Sequence, residues 1–306
     1  MVFAREQIKS LSALGVTSHS VFLQSRTSPS VIAREVRRLR RALQEFRPHV
    51  VHAHYGTVTA ILTALCSRVP IVITYRGSDL NPCPSISPVR SVVGRLLSQI
   101  AAYRAARIVC VSAELKNKLW RGGDGVRIVA TGVDVTAFRP APRNTSRREL
   151  GWPLGRKVVL FNAGDDPQVK RRDLAIAAVA AARELSLDFD FIELDGKVDH
   201  GRIPIYLNAA DCLLVTSDWE GSPNIVKEAI ACDLPVVTVE TGDVRARLAK
   251  VTPSCIVERN PTSIARGIAE ILHEPHRSNG HETIGDVSSE RVAQQIVALY
   301  REVLAH

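Results

Sequence analysis

Two carboxylates eight positions apart, Glu220 and Glu228, enclose the run Gly221-Ser222-Pro223-Asn224-Ile225-Val226-Lys227. Glycine, serine and proline in that order open a helix. The Ser222 hydroxyl can cap it, and Pro223 fits the first turn, where a missing N–H costs nothing. Strand-like apolar runs lie on both sides, at residues 212–216 and 235–239. The segment thus predicts a strand, a tight loop, a helix and a second strand. The unpaired N–H groups at that helix start, backed by the helix dipole, suit an anion or a hydroxyl. Glu220 precedes the helix and Glu228 lies two turns into it, so the loop and not helical periodicity sets their relative placement. In a parallel α/β sheet such a loop sits at the carboxyl end of a strand, where these sheets bind ligands. On spacing alone the pair also reads as a loop carboxylate and a solvated helix residue.

Other positions offer complementary chemistry. Lys170 ends a loop that begins with Asn162, Ala163 and Gly164 and runs into a helical pattern. A lysine there can neutralise a diphosphate as a point charge, and in the Lys170-Arg171-Arg172 cluster it can equally be a solvated surface group. His52-Ala53-His54 and Arg76-Gly77-Ser78-Asp79 each follow an apolar strand pattern. Both should therefore face whatever binds at the strand ends. Arginine cannot serve as a base, but its fork binds phosphate or carboxylate.

The elements that position these residues alternate along the whole chain. Strand patterns at 20–23, 50–53, 71–75, 107–111 and 126–130 are separated by helical patterns at 3–14, 31–46, 57–67, 89–105 and 113–120. A second series places strands at 157–161, 189–194, 212–216, 235–239 and 255–257. Its helices lie at 172–185, 203–209 and 223–232, with a last helix at 289–304. Such alternation predicts parallel sheets with right-handed crossovers. Residues 138–152, rich in Pro, Arg and Ser, read as a linker between two domains, which 306 residues also favour. The expected division is 1–140, 141–288 and a terminal helix 289–306.

Composition excludes several classes. Hydrophobic residues make up 45% and charged residues 23%, ordinary for a globular protein, and no apolar run has the length of a membrane span. Residues 1–4 lead straight into a charged amphipathic helix, without a secretory signal's apolar core. The six cysteines are scattered without CxxC spacing, which argues against a zinc site and fits a reducing cytoplasm. The net charge is +9. Part of it lies on one helical face, Arg34, Arg37, Arg38 and Arg41, opposite Ile32, Val36, Leu39 and Leu43. That face reads as solvated, or as a contact with anionic headgroups or a phosphorylated acceptor. Aromatics are only 5%, with no stacking platform, so nucleic acid is not expected as a partner. No GxGxxG follows a first strand, which speaks against a dinucleotide-dependent dehydrogenase.

Residues 209–217, the Glu220–Glu228 pair and residues 231–237 resemble the donor-sugar motif of glycosyltransferase family 4, which reads Glu, seven residues, Glu. The resemblance spans roughly residues 48–305. It implies two Rossmann-like domains facing a central cleft, the GT-B architecture, with the last helix crossing back to the first domain. It also implies a retaining, metal-independent transfer from a nucleotide diphosphate sugar to a saccharide or lipid-linked acceptor, in cell-surface polysaccharide or glycolipid synthesis. The enzyme would be cytoplasmic, peripheral at the inner face of the membrane, and in need of no cofactor. Glu228 would accept the ribose hydroxyls. Glu220 and the backbone of Gly221, Ser222, Pro223 and Asn224 would hold sugar and diphosphate. Lys170 would stabilise the leaving diphosphate, with Gly164 shaping the loop.

Four departures accompany the match. Asp165 stands where the family commonly has an arginine, so that one diphosphate contact is lost or is supplied by Arg171 or Arg172. Arg76 replaces a histidine near the donor sugar, and His54 is expected to point into the same cleft. Thr131 replaces an asparagine ahead of Gly132-Val133-Asp134, a run expected to shape the domain junction. The family begins with a strand and a glycine-rich loop, whereas this chain starts within the helix that follows. The alternatives are a non-catalytic module that binds a sugar nucleotide and a GT-B sugar-nucleotide epimerase.

Overall fold

The computed structural model describes residues 2–24, 28–164 and 166–305. The chain divides into two compact units, one of residues 1–131 and 290–306 and the other of residues 132–289.

Unit 1 runs α1 (Val2–Ala13), α2 (Pro29–Phe46), β1 (Val51–His54), α3 (Thr57–Cys66), β2 (Ile71–Tyr75), α4 (Pro88–Ala102), β3 (Arg107–Cys110), α5 (Ala113–Asn117) and β4 (Val126–Ile128). Its sheet is parallel, in the order β1-β2-β3-β4. Both faces are covered, so β2 reads as a continuous apolar run, with all five residues buried. Ile71, Ile73, Ile108 and Cys110 face Ala60 of α3 and Ala101 and Ala102 of α4. On the other face Val72 and Val109 meet Leu11 of α1 and Val292, Ile296 and Leu299 of the terminal helix.

The strand expected at residues 20–23 does not form. That segment is irregular and lines a cavity of about 780 Å³ with α1, α2, β1 and the terminal helix. Three apolar residues, Val21 to Leu23, bury too little to offset ordering a ladder, and Phe22 is half exposed.

Unit 2 runs α6 (Arg143–Leu150), β5 (Val158–Asn162), α7 (Arg172–Glu184), β6 (Asp190–Leu194), α8 (Ile203–Ala209), β7 (Cys212–Val215), α9 (Asn224–Ala231), β8 (Val236–Val239), α10 (Val244–Leu248), β9 (Cys255–Val257), α11 (Pro261–His273) and α12 (Gly280–Thr283), and it leads into α13 (Ser289–Leu304). The parallel sheet has the order β6-β5-β7-β8-β9. From β5 the chain moves outward to β6, then returns to the other side of β5 for β7. The loops after β5 and β7 therefore flank the topological switch point, where open parallel sheets leave a crevice at the strand carboxyl ends. Leu174, Ala175 and Ala178 of α7 and Ile264 and Ile268 of α11 cover one face. On the other, α9 packs on β7 and β8, and α8 on β5.

Residues 138–152 are not a linker. They belong to unit 2, and most of them form α6, which ends at Gly151 in the left-handed conformation. Its composition is polar, but Arg147 is 1% exposed. The Arg147 guanidinium donates to Asp211 (2.6 Å), Ala209 O (2.9 Å) and Leu154 O (2.6 Å), while Asp211 also accepts the Val158 N–H (2.7 Å). A buried ion pair, satisfied on both sides, thus fastens α6 to the starts of β5 and β7.

Candidate functional site

In unit 2 the two loops at the switch point are stitched together. Gly164 follows β5 with a φ of +54°, a conformation in which a side chain would be strained, and its N–H donates to Asn162 Oδ1 (3.2 Å). The loop then climbs to Lys170 and Arg171. Thr216, at the end of β7, donates its hydroxyl to the Lys170 carbonyl (2.7 Å). Lys170 Nζ forms an ion pair with Glu220, whose same carboxylate oxygen accepts the Ser217 hydroxyl (3.0 Å). Lys170 and Glu220 are 22% and 16% exposed, so the pair is within reach of a ligand and only partly screened. The sequence separates these two residues by 50 positions, and the β5–β7 pairing brings them together.

The neighbouring arginines are committed elsewhere. Arg171 donates to Asp173 (2.9 Å) and Asp218 (3.0 Å), and the Asp173 contact raises its pKa above the usual arginine range. Arg172 grips Glu193 through Nε (2.6 Å) and Nη2 (2.8 Å). An anion would have to displace these carboxylates to reach either arginine. Asp165 lies outside the described residues.

Ser222 does not cap α9; Pro223 occupies that position. The hydroxyl has stronger claims on it: it donates to Asp243 (2.9 Å) and accepts from Lys227 Nζ (2.8 Å). Lys227 is fully buried and reaches the Ser222 carbonyl as well (3.3 Å). Burial holds the Asp243 carboxyl above its ordinary pKa, and Arg247 stands 3.3 Å away. Gly242 completes the wall: a Cβ there would lie 2.9 Å from the Gly221 carbonyl oxygen. The loop 220–223 is thereby fixed from behind, leaving Asn224 exposed at the start of α9.

Glu228, 8% exposed, faces His200 Nε2 at 3.0 Å, and the His200 ring packs edge-on to Phe138 at 5.3 Å. Neither His200 nor Arg259 stood out in the sequence. Arg259, just past β9, donates to Ser217 O (2.6 Å), Thr216 O (3.1 Å) and Glu240 O (3.0 Å), bracing the loop after β7. No local motif marks either residue, because their hydrogen-bond partners lie 19 to 43 positions away.

Unit 1 gathers a second cluster. Arg76 extends Nη2 to His54 Nδ1 (3.1 Å) and Gln7 (3.1 Å), and Nη1 to Thr131 (3.0 Å). A guanidinium only donates, so His54 accepts through Nδ1 and carries its proton on Nε2. His52 stacks on His54 at 4.4 Å and contacts Tyr300 and Thr74, each at 2.6 Å. Burial pushes His52 down to about 3 and His54 well below the usual histidine value, and lowers Arg76 to about 10. Buried Asp79 accepts the N–H groups of Gly56 (3.1 Å), Arg76 (3.1 Å) and Gly77 (2.8 Å), so it anchors the loop that carries Arg76. Among the described residues, no group of three or more His, Cys, Asp or Glu side chains is placed to hold a metal ion.

The family described as Glycosyltransferase Family 4 matches residues 1–137, and that described as Glycosyl transferases group 1 matches residues 152–274. TuaC of Bacillus subtilis (strain 168), a glycosyltransferase named for teichuronic acid biosynthesis, is 23% identical over 252 residues. The match takes in 76% of this chain and 63% of TuaC, so the chain spans under two thirds of that relative's length. Sucrose-phosphate synthase from Thermosynechococcus elongatus superposes with a TM-score of 0.84, at 18% identity, over 99% of this chain and 93% of that one. HepE of Anabaena, solved in complex with UDP-glucose, has a TM-score of 0.66 at 18% identity over 97% and 87% of the two chains. With two parallel α/β units and the switch-point loops described above, the chain belongs to glycosyltransferase family 4 and has the GT-B fold.

Proposed function

We propose that the chain is a retaining glycosyltransferase that takes a sugar from a nucleotide diphosphate sugar. The observation that carries this reading is the convergence of Lys170 and Glu220 at the β5–β7 switch point. Lys170 leaves Glu220 for the diphosphate and stabilises the charge that grows as the glycosidic C–O bond breaks, an electrostatic contribution placed where charge develops. Glu220 accepts the sugar hydroxyls, and the backbone N–H groups of Gly221, Ser222 and Asn224 donate to the diphosphate. Glu228 accepts the ribose hydroxyls, with His200 behind it. The acceptor hydroxyl forms the new bond to the anomeric carbon on the face the diphosphate leaves, and its proton passes to the departing phosphate oxygen.

Arg76 and His54 give unit 1 a fixed cation and a neutral hydrogen-bond donor, suited to a phosphate, carboxylate or hydroxyl group. Gly164 and Arg171 shape the diphosphate loop. The acceptor is a saccharide or lipid-linked saccharide of cell-surface polysaccharide synthesis, in keeping with the relative named for teichuronic acid. The six free thiols fit a cytoplasmic enzyme. Contact of the α2 stripe with an anionic surface belongs to the same reading. All four of its arginines are exposed, though Arg38 also binds Glu35.

The test is turnover: the chain with candidate nucleotide sugars and saccharide acceptors, with product and anomeric configuration read by NMR. A product that keeps the donor's configuration supports transfer with retention. Conversion of the sugar nucleotide without an acceptor would indicate an epimerase. Donor binding without any product would indicate a binding module.

A further inference from the structure

Helix α4 of unit 1 is amphipathic with its faces exchanged. Its buried side carries Ser91, Ser98 and Gln99, each tied to backbone. Ser91 Oγ accepts from Cys83 N (3.2 Å), and Ser98 Oγ accepts from Thr57 N (2.7 Å). Gln99 accepts from Trp120 N (2.9 Å) and donates to Lys118 O (2.8 Å). The outer side carries Val89, Val92, Val93, Leu96 and Ile100, continued by Tyr103, at helical spacings of three and four. They are 72%, 45%, 47%, 43%, 56% and 62% exposed. Leu65 of the adjoining α3 is 69% exposed, and Trp120, held beside the helix end through Gln99, is 63% exposed. The inner hydrogen bonds and the buried Ala101 and Ala102 fix the helix, while the outer stripe stays 43–72% exposed. A contiguous stripe of this kind marks an interaction surface.

Charge identifies the occupant. No acidic residue lies on α4, and exposed Arg90 and Arg104 flank the stripe. A second copy docked face to face about a twofold axis would bring these arginines against each other with no carboxylate on the helix to answer them. Anionic headgroups answer them directly. The helix has 15 residues, about 22 Å, and among the described residues none is long and apolar enough to cross a membrane. It suits lying in the plane of a membrane interface, where Tyr103 and Trp120 are also favoured. We infer that the Val89–Tyr103 face of α4 seats on an anionic lipid surface, its aliphatic stripe at the headgroup–acyl boundary and Arg90 and Arg104 at the lipid phosphates.

The inference rests on α4 alone and not on the donor site, so it is tested without turnover. The chain is floated with phosphatidylcholine–phosphatidylglycerol vesicles at low and high salt, while tryptophan emission is followed. The wild type should float, keep part of its binding at high salt, and show a blue shift that disappears in Trp120→Phe. Leu96→Glu with Ile100→Glu, both on the exposed face, should lower partitioning at least about tenfold and leave the melting temperature unchanged. Replacing Arg34, Arg37, Arg38 and Arg41 by Gln should leave the salt-resistant part intact. A wild type that ignores the vesicles would overturn the inference, as would flotation indifferent to the double variant. So would a dimer in sedimentation equilibrium that this variant dissociates, which would assign the face to a second copy.

Discussion

The two units bring charge to their strand ends in opposite ways. In unit 1, Arg76 sits among His54, Gln7 and Thr131, and burial governs the cluster, holding both histidines neutral and pulling the guanidinium down to about 10. In unit 2 the charges at the loop surface are stored as ion pairs: Lys170 with Glu220, Arg171 with Asp218, Arg172 with Glu193. Partly exposed pairs contribute little to stability, so trading one partner for a ligand costs little. Unit 2 keeps its rigid groups a layer deeper, in Lys227, Asp243, Arg147 and Asp211, which hold the loops and elements in place. Unit 1 thus presents a fixed cation, while unit 2 presents exchangeable ones on a fixed frame.

The frame should give the largest effect. Arg147→Met takes the buried ion-pair partner from Asp211, leaving it Arg143 and the Val158 N–H, and breaking such a pair costs about 3–5 kcal/mol, read as a lowered urea midpoint. Arg172→Gln, at an exposed pair, should leave that midpoint unmoved. Equal losses would erase the distinction between frame and surface.

Removal of the exchangeable cation comes next. Lys170→Ala should lower kcat by about 10²–10³, the scale seen when one preorganised electrostatic contact to a transition state is removed, and raise donor KM far less. An effect confined to KM would make Lys170 a ground-state binding group. Lys227→Met tests the frame behind the same loop. It should impair donor binding and kcat together, and a variant with normal kinetics would show that the loop holds without its buried cation.

Acid should separate the units. His52 is neutral in the folded chain down to about pH 3, whereas the unfolded chain protonates it near 6.5. Its contribution to stability is complete above 6.5 and declines as pH falls toward 3, by up to about 1.4 kcal/mol for each pH unit. His54 acts in the same direction. Hydrogen exchange at pH 7 and pH 5 should therefore show β2 losing protection faster than β7. Parallel loss in both sheets would contradict the burial account of unit 1.

Much of this organisation was legible in the residues. Apolar runs alternating with helical patterns located β1 to β9, and the carboxylate pair with its glycine, serine and proline located the loop before α9. What stayed hidden depended on contacts distant in sequence. Arginine-rich α6 read as a linker because composition does not reveal that Arg147 meets Asp211 64 positions away. Ser222 read as a cap because Asp243, 21 positions on, was not visible as a competitor for its hydroxyl. Arg259 and His200 carry no local signature. By contrast α11 was readable and passed over: Asn260 caps it through Ser263 N (2.8 Å), Pro261 opens it, and Ile264, Ile268 and Ile271 keep helical spacing.

If the loops after β5 and β7 hold the nucleoside diphosphate of the donor, calorimetric titration of the chain with a panel of nucleoside diphosphates, repeated on Glu228→Ala, will read it out. One diphosphate should bind the wild type, and the variant should bind it about 1.5–3 kcal/mol more weakly, the worth of a hydrogen bond to a charged acceptor. Failure of every nucleoside diphosphate to bind, or equal affinity in the variant, would contradict the account.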